Sequence, residues 1–151
     1  MGLERKHPVH GIVVPPSAPV LVFLTVCTRK RMPWLATPEV HQMLRAAWAG
    51  EQPWAVGRYV ILPDHIHMFV APVLGRPLEQ WVTFWKGSVS RAHRNPAWRW
   101  QTDHWDRRLR REESYAEKWQ YVALNPVRHG LVKRPEDWPY QGELNTLPWW
   151  G

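Results

Sequence analysis

The segment Leu62-Pro63-Asp64-His65-Ile66-His67-Met68-Phe69-Val70 predicts a central β-strand and contains the first functional signal. Successive side chains of a β-strand point to opposite faces, so His65, His67 and Phe69 share one face, while the residues between them face a core. At ~3.3 Å rise per residue, the two histidine Cα atoms lie roughly 6.6 Å apart, which lets two imidazoles bind one metal ion. Two half-buried histidines without a metal would give the same pattern, so this signal is weak when it stands alone.

The segments around this stretch predict a small α+β domain in which one antiparallel sheet carries helices on its faces. Residues 20–28 (VLVFLTVCT) form an apolar run that is typical of a central strand. Residues 54–62 predict a strand antiparallel to the histidine strand, since only a short turn separates the two. Capping residues and helical periodicity predict helices over residues 38–50, 78–94 and 115–125, and residues 104–110 are a candidate fourth strand. The second helix is expected to bury Trp81, Phe84, Trp85, Val89 and Ala92 and to expose Lys86, and residues from 133 onward predict little regular structure.

Composition is typical of a basic, globular, single-domain protein. The chain has 151 residues, of which 44% are hydrophobic and 22% charged. Its net charge of +7 indicates a polyanionic partner, either nucleic acid or an acidic membrane surface. Cys27 is the single cysteine, so no intramolecular disulfide is expected and a cytoplasmic setting is predicted. No apolar run reaches ~18 residues, so no membrane span is expected.

The helix that follows the Ser114–Glu117 capping box adds a second candidate cluster. Tyr121 and Asn125 lie one turn apart on it and therefore point the same way. A tyrosine hydroxyl can act as a nucleophile, and the amide oxygen of Asn125 could supply a third metal ligand beside the two imidazoles. Nitrogen and oxygen ligands with open positions favour Mg²⁺ or Mn²⁺. The structural alternatives are a core tyrosine and an ordinary residue before a helix-ending proline.

These motifs together resemble a known family. His65-Ile66-His67 on a strand, followed by residues 121–132 (YVALNPVRHGLV), is similar to the REP-associated tyrosine transposases, which are single-tyrosine HUH transposases of the insertion-sequence-200-like superfamily. Residues 100–110 (WQTDHWDRRLR) and 137–140 (DWPY) resemble the same family. The resemblance covers roughly residues 18–141.

The resemblance implies a ferredoxin-like sheet with the histidine pair on a central strand. It implies that Tyr121 attacks a phosphodiester of single-stranded DNA near a hairpin and leaves a 5′-phosphotyrosine link and a free 3′-hydroxyl. It also implies that His65 and His67, with Asn125, bind the divalent metal, and that the protein works in the bacterial cytoplasm at the nucleoid. The expected organisation is a flexible Pro-rich arm (residues 1–19), a single-tyrosine HUH transposase domain (20–141) and a C-terminal tail (142–151).

The distribution of basic residues agrees with a nucleic-acid partner. Residues 76–134 hold 13 of the 20 Lys and Arg residues. Phosphate contacts by such residues give affinity without sequence choice. The arginines predicted to line a phosphate track are Arg91, Arg94, Arg99, Arg107, Arg108, Arg110 and Arg111. Trp98, Trp100 and Trp105 lie among them, and each is either a core residue or a platform on which a base stacks.

Two other functions fit the same sequence. One is a domesticated module that binds hairpin DNA without cutting it, and the other is an RNA-binding domain whose histidines are structural. The sequence also leaves open whether the protein is a monomer or a homodimer, and whether Tyr121 acts on the histidine pair of its own subunit.

Overall fold

The computed structural model describes residues 19–150, so the predicted arm lies outside the described residues except for Pro19. The strands are β1 (Val22–Thr28), β2 (Trp54–Ile61), β3 (His65–Pro72), β4 (Trp100–Arg108) and β5 (Gln141–Glu143). The helices are α1 (Pro38–Trp48), α2 (Leu78–His93), α3 (Tyr115–Ala123) and α4 (Asn125–Arg128), and short 3-10 turns span Arg29–Arg31 and Pro135–Asp137. The strands form one antiparallel sheet in the order β4-β1-β3-β2-β5, which confirms the predicted α+β class. No helix within residues 19–150 has the length and apolarity needed to cross a bilayer.

The two central strands set the position of the histidines. In the β1–β3 register, Thr25 lies opposite His67 and Cys27 lies opposite His65. The alternating partners Val22, Leu24 and Val26 point to the other face and are fully buried. The predicted alternation of the histidine strand is therefore confirmed, because a central strand with one buried face has only one register that keeps its apolar side chains out of water.

Each face of the sheet has its own core. On one face, α1 and α2 pack tryptophans such as Trp48, Trp81 and Trp85 against β1, β2 and β3. On the other face, α3 and the C-terminal segment cover Phe69 and Val60. The histidines of β3 lie on this second face, which is the face covered by α3 and the segment that follows it.

The helix predicted over residues 115–125 is divided into two. α3 ends at Ala123, and α4 begins at Asn125 after Leu124. Pro126 has no N–H to donate to the carbonyl of Val122, so a continuous helix would leave that acceptor unpaired. The side-chain Nδ2 of Asn125 donates to this carbonyl instead, at 3.0 Å.

Two further expectations were wrong at the level of single elements. β4 begins at Trp100, four residues earlier than predicted, because the whole of residues 100–108 pairs with β1. Residues 141–143 form β5 along the edge of β2 although little regular structure was expected there, and Leu147 beyond it is buried. The predicted boundary between domain and tail therefore falls inside a strand.

The buried stripe of α2 also differs from the expectation. Phe84 is 60% exposed and Ala92 is exposed, whereas Val82 and Lys86 are buried. Lys86 tolerates this position because its long stem reaches the edge strand, where its ammonium donates to the carbonyl of Gln101 at 2.9 Å. Burial lowers the pKa of Lys86 from 10.5 to about 8.

Candidate functional site

The two histidines form a compact pair on the second face of the sheet. Their ring centroids lie 4.7 Å apart with an interplanar angle of 78°. Phe23 of β1 stacks on His67 with centroids 5.3 Å apart, which fixes that ring against the sheet. His65 is buried and His67 is half-buried. The pair is therefore held by strands and ring contacts, as a preformed binding site requires.

Hydrogen bonds select the tautomer of His65. Its Nδ1 lies 2.7 Å from Oδ1 of Asp64 and 3.3 Å from Nη2 of Arg31. The carboxylate can only accept and the guanidinium can only donate, so the shorter contact favours a proton on Nδ1 that is donated to Asp64. Arg31 is itself held by its Nε, which donates to the other oxygen of Asp64 at 3.0 Å. This arrangement leaves the lone pair of His65 on Nε2.

His67 is arranged in the same manner by a different partner. Its Nδ1 lies 2.9 Å from the Thr25 hydroxyl across the β1–β3 pair. A threonine hydroxyl can accept the Nδ1 proton, which again leaves the Nε2 lone pair for a ligand. Burial, reinforced by the charges of His65 and Arg31, lowers the pKa of His67 to about 3. His67 is therefore neutral at physiological pH, the form in which imidazole binds metal.

The residues fit a metal ion in part. An Nδ1 bonded to a carboxylate or hydroxyl, with Nε2 free, is the usual arrangement around metal-binding histidines. Within residues 19–150, however, no group of three or more His, Cys, Asp or Glu side chains is placed to hold a metal ion. A third protein ligand would therefore come from another residue type, and the amide oxygen of Asn125 is a ligand of that kind.

The tyrosine helix lies on the same face of the sheet as the imidazoles. Tyr121 is 67% exposed, and the guanidinium carbon of Arg128 lies 4.2 Å from its ring centroid. The Nη2 of Arg128 also lies 3.5 Å from the amide oxygen of Asn125. In the described part of the chain, no hydrogen bond or ring contact joins Tyr121 to His65 or His67. The positive charge of Arg128 makes a small contribution to the lowered pKa of His67, after burial and the charges of His65, Arg31 and His129.

Three residues of this site were missed in the sequence. His129 follows α4, and its ring lies 6.0 Å from that of His65 at 80°. The signal for it was present, because His129 is four residues after Asn125 and so lies one turn further along the same side. Arg31 and Arg128 gave no comparable signal, since each was one cation among many.

The predicted phosphate track is divided between the two ends of β4. Arg91, Arg94 and Arg99 lie where α2 ends and β4 begins, and the last two line an open cleft of about 840 Å³ together with Lys86. The remaining four lie about eight residues further along, which is roughly 26 Å in an extended strand. There Arg107 makes two hydrogen bonds of 3.1 Å to Glu113, and Arg111 lies 4.5 Å above the ring of Trp150; Arg108 and Arg110 lie beside them.

The geometry places the chain in one structural class. A five-stranded antiparallel sheet with two histidines on a central strand, and a tyrosine helix on the same face, is the fold of the HUH endonucleases and transposases. No family model matches the chain. A solved structure of a REP-associated tyrosine transposase bound to a REP hairpin is 30% identical, with a TM-score of 0.69, and the match covers 80% of this chain and 74% of that one. The chain belongs to the REP-associated tyrosine transposases.

One further relative agrees with this assignment, and one further solved structure shares the fold. The REP-associated tyrosine transposase of Escherichia coli K12 is 29% identical over 123 residues, which cover 78% of this chain and 73% of that protein. A solved structure from Deinococcus radiodurans R1 is 19% identical with a TM-score of 0.53, covering 73% of this chain and 93% of that one. At that identity the second likeness shows the fold alone.

Proposed function

We propose that this protein cleaves and rejoins single-stranded DNA beside a hairpin, with Tyr121 as the nucleophile. The observation that carries the proposal is the pair of imidazoles whose Nδ1 atoms are bonded to Asp64 and Thr25 on the face that bears the tyrosine helix. The relative bound to a REP hairpin makes a hairpin with unpaired flanking bases the natural substrate to test.

His65, His67 and Asn125 would hold a divalent cation, Mg²⁺ or Mn²⁺. Two neutral imidazoles and an amide oxygen leave open positions that suit a phosphate oxygen and water. When bound, such an ion polarises the phosphoryl oxygen and orients the scissile bond. Asp64 and Thr25 position the two rings, because each holds an Nδ1 proton and so directs Nε2 toward the ligand.

Tyr121 would carry the covalent step. Its phenolic oxygen forms a bond to phosphorus and loses its proton to solvent, while the bond from phosphorus to the 3′-oxygen breaks and that oxygen takes up a proton. The products are a 5′-phosphotyrosine and a free 3′-hydroxyl. Arg128 lies against the Tyr121 ring, where its charge can neutralise the phosphate during attack. Rejoining is the reverse attack by a 3′-hydroxyl, and it needs no external energy because the covalent link retains the phosphodiester energy.

The test is adduct formation with a labelled hairpin that carries unpaired flanks, in the presence of Mn²⁺. Wild-type protein should form a covalent protein–DNA species that survives denaturing electrophoresis, and Tyr121→Phe should form none. Tyr140→Phe is the matched control, because Tyr140 packs on Trp138 through its ring and should keep full adduct yield. Cleavage by Tyr121→Phe at the wild-type rate would contradict the proposal.

Mixing two inactive variants tests whether the tyrosine acts on its own subunit. Tyr121→Phe supplies an intact histidine pair, and His65→Ala with His67→Ala supplies an intact tyrosine. A mixture that regains adduct formation indicates a dimer in which each tyrosine serves the partner's histidine pair. A mixture that stays inactive indicates that both halves of the site belong to one chain. Calorimetry should also show that the double histidine variant no longer binds Mn²⁺.

The second candidate is a hairpin-binding module that does not cut DNA. It is favoured by the absence, within residues 19–150, of any hydrogen bond or ring contact between Tyr121 and the imidazoles. Under this alternative, hairpin affinity is retained but no adduct forms with Mg²⁺, Mn²⁺ or any other divalent ion.

A further inference from the structure

One lateral row of residues crosses four strands on the face that bears the histidines. It runs from Val60 of β2 through His67 and Thr25 to Trp105 of β4, each paired with the next in the strand register. Exposure rises along this row: Val60 is fully buried, His67 and Thr25 are half-buried, and Trp105 is 49% exposed. Among residues 19–150, the second face of the sheet is therefore covered at β2 and open at β4.

The packing of α3 explains this gradient. The Tyr115 hydroxyl of α3 accepts a hydrogen bond from the backbone N–H of Arg58 in β2 at 3.0 Å, and Trp119 packs edge-on against Phe69 of β3 with centroids 6.5 Å apart. These contacts hold the helix over the β2–β3 half of the sheet. Next to the histidine pair, the β1–β4 half presents an open floor made by Thr25, Phe23 and Trp105.

Trp105 differs from the other tryptophans that lie among the arginines. Trp98 stacks on Trp34 with centroids 5.6 Å apart and nearly parallel rings, and Trp100 packs edge-on against Trp34 and Trp85. Both therefore serve the protein interior. Within residues 19–150, no aromatic ring packs against Trp105. Its indole, half exposed on an edge strand, therefore leaves a large apolar area in contact with water. A π-face available beside a site for DNA suits an unpaired base.

Charge at the two ends of this floor fits a polyanionic occupant. The turn Arg29–Arg31 is exposed at the end where the histidines lie. At the other end, Arg110 is about three-quarters exposed, and its Nε lies 3.8 Å from a carboxylate oxygen of the equally exposed Glu112. A single strand crossing the floor from one end to the other would meet cations for its phosphates at both ends and an aromatic surface for a base between them.

We propose that the open β1–β4 half of the sheet is the path of the unpaired DNA that flanks the hairpin, and that Trp105 stacks on one of its bases. Two strand spacings of ~4.8 Å place the Cα atoms of Trp105 and His67 roughly 9.6 Å apart, so the stacked base belongs to a nucleotide near the scissile phosphate. This inference rests on the proposed function, because it takes the histidine pair as the position of that phosphate.

Binding in metal-free buffer separates the contribution of the flank from that of the hairpin. Two labelled oligonucleotides are compared, one a hairpin with unpaired flanks and the other the same hairpin without them. Trp105→Ala should bind the flanked hairpin about 5- to 150-fold more weakly and the unflanked hairpin as wild type does. Trp105→Phe should recover much of the loss. Phe84→Ala removes an aromatic ring of similar exposure from α2, on the opposite face of the sheet, and should change neither affinity.

A direct signal for stacking comes from 2-aminopurine placed in turn at each flanking position. Wild-type protein should quench its fluorescence at one position more than at the others, Trp105→Phe should quench it partly, and Trp105→Ala should not. Two results would overturn the inference even if Trp105→Ala fails to fold. One is equal quenching at all flanking positions by the wild-type protein. The other is an equal loss of affinity for both oligonucleotides in the Trp105→Phe variant.

The same measurements distinguish this inference from the proposed chemistry. Tyr121→Phe should quench 2-aminopurine as wild type does while forming no adduct, because stacking does not need the nucleophile. Tyr121→Phe could still cleave DNA while Trp105→Ala loses the extra affinity that the unpaired flanks give the hairpin. In that case the choice of nucleophile is wrong and the stacking surface is supported.

Discussion

The contact of Asp64 with His65 gives the sharpest test of the metal hypothesis. Asp64 accepts from Nδ1 of His65 at 2.7 Å, and Arg31 lies 3.3 Å from the same atom. In Asp64→Ala, only the guanidinium remains beside Nδ1, and a guanidinium can only donate. The ring should then carry its lone pair on Nδ1 and its proton on Nε2, which blocks the atom that faces a metal.

The expected size of the effect follows from these contacts. A hydrogen bond to a charged group contributes about 1.5–3 kcal/mol, and every 1.4 kcal/mol is a tenfold change in affinity. Loss of a carboxylate partner of a ligating histidine costs about 10- to 100-fold in metal affinity. We therefore expect Asp64→Ala to weaken Mn²⁺ binding by about 10- to 100-fold. Asp64→Asn should lose less, because its amide oxygen still accepts from Nδ1.

A second substitution should reverse part of the loss. When Arg31→Ala is added to Asp64→Ala, no donor holds Nδ1 and the ring can again present Nε2, so affinity should return to within about tenfold of wild type. Arg29→Ala in the same background removes an equal charge from the same turn but leaves Arg31 in place. That control should stay weak, which separates the tautomer effect from a general change in local charge.

The measurement is isothermal titration of Mn²⁺ into each folded variant, with circular dichroism as the check on folding. Wild-type affinity in Asp64→Ala would refute the tautomer argument. Equal recovery by Arg31→Ala and Arg29→Ala would show that net charge alone controls binding at this site.

Two further predictions concern stability. Burial lowers the pKa of Lys86 from 10.5 to about 8, so its charge destabilises the folded state fully below pH 8, and this cost disappears as the pH rises to 10.5. Lys86→Met should therefore raise the free energy of unfolding at pH 7 by about 2 kcal/mol, after about 1 kcal/mol is subtracted for the lost hydrogen bond to Gln101. Urea unfolding at pH 7 and at pH 10.5 should show the gain only at pH 7. Hydrogen bonds, first from Arg107 and also from Lys118, lower the pKa of Glu113 from 4.5 to about 2. Its contribution to folding stability is therefore present above pH 4.5 and is lost as the pH falls through 2. Glu113→Gln should reduce the free energy of unfolding at pH 7 by about 2 kcal/mol and leave it unchanged near pH 2, and an equal loss at both pH values would refute the ion-pair explanation.

Much of the fold followed from patterns that neighbouring residues set among themselves. The alternation around His65 and His67 depends on the geometry of a single strand, and the Ser114 cap depends on an N–H three residues away, at 3.2 Å. The relative position of Tyr121 and Asn125 was also local, although the end of α3 at Ala123 modifies it. Such features are encoded within one element, so the sequence was sufficient to predict them.

The rest depended on pairs of residues far apart in the chain. Asp64 meets Arg31 across 33 residues and His67 meets Thr25 across 42, so the orientation of both imidazoles became visible only when the strands were brought together. Local patterns were enough to indicate candidate side chains for the chemistry and the strand or helix on which each lies. The exposure of Trp105, in contrast to Trp98 and Trp100, became visible only in the folded protein. It depends on which half of the sheet is covered by a helix, and that packing involves residues far apart in the chain.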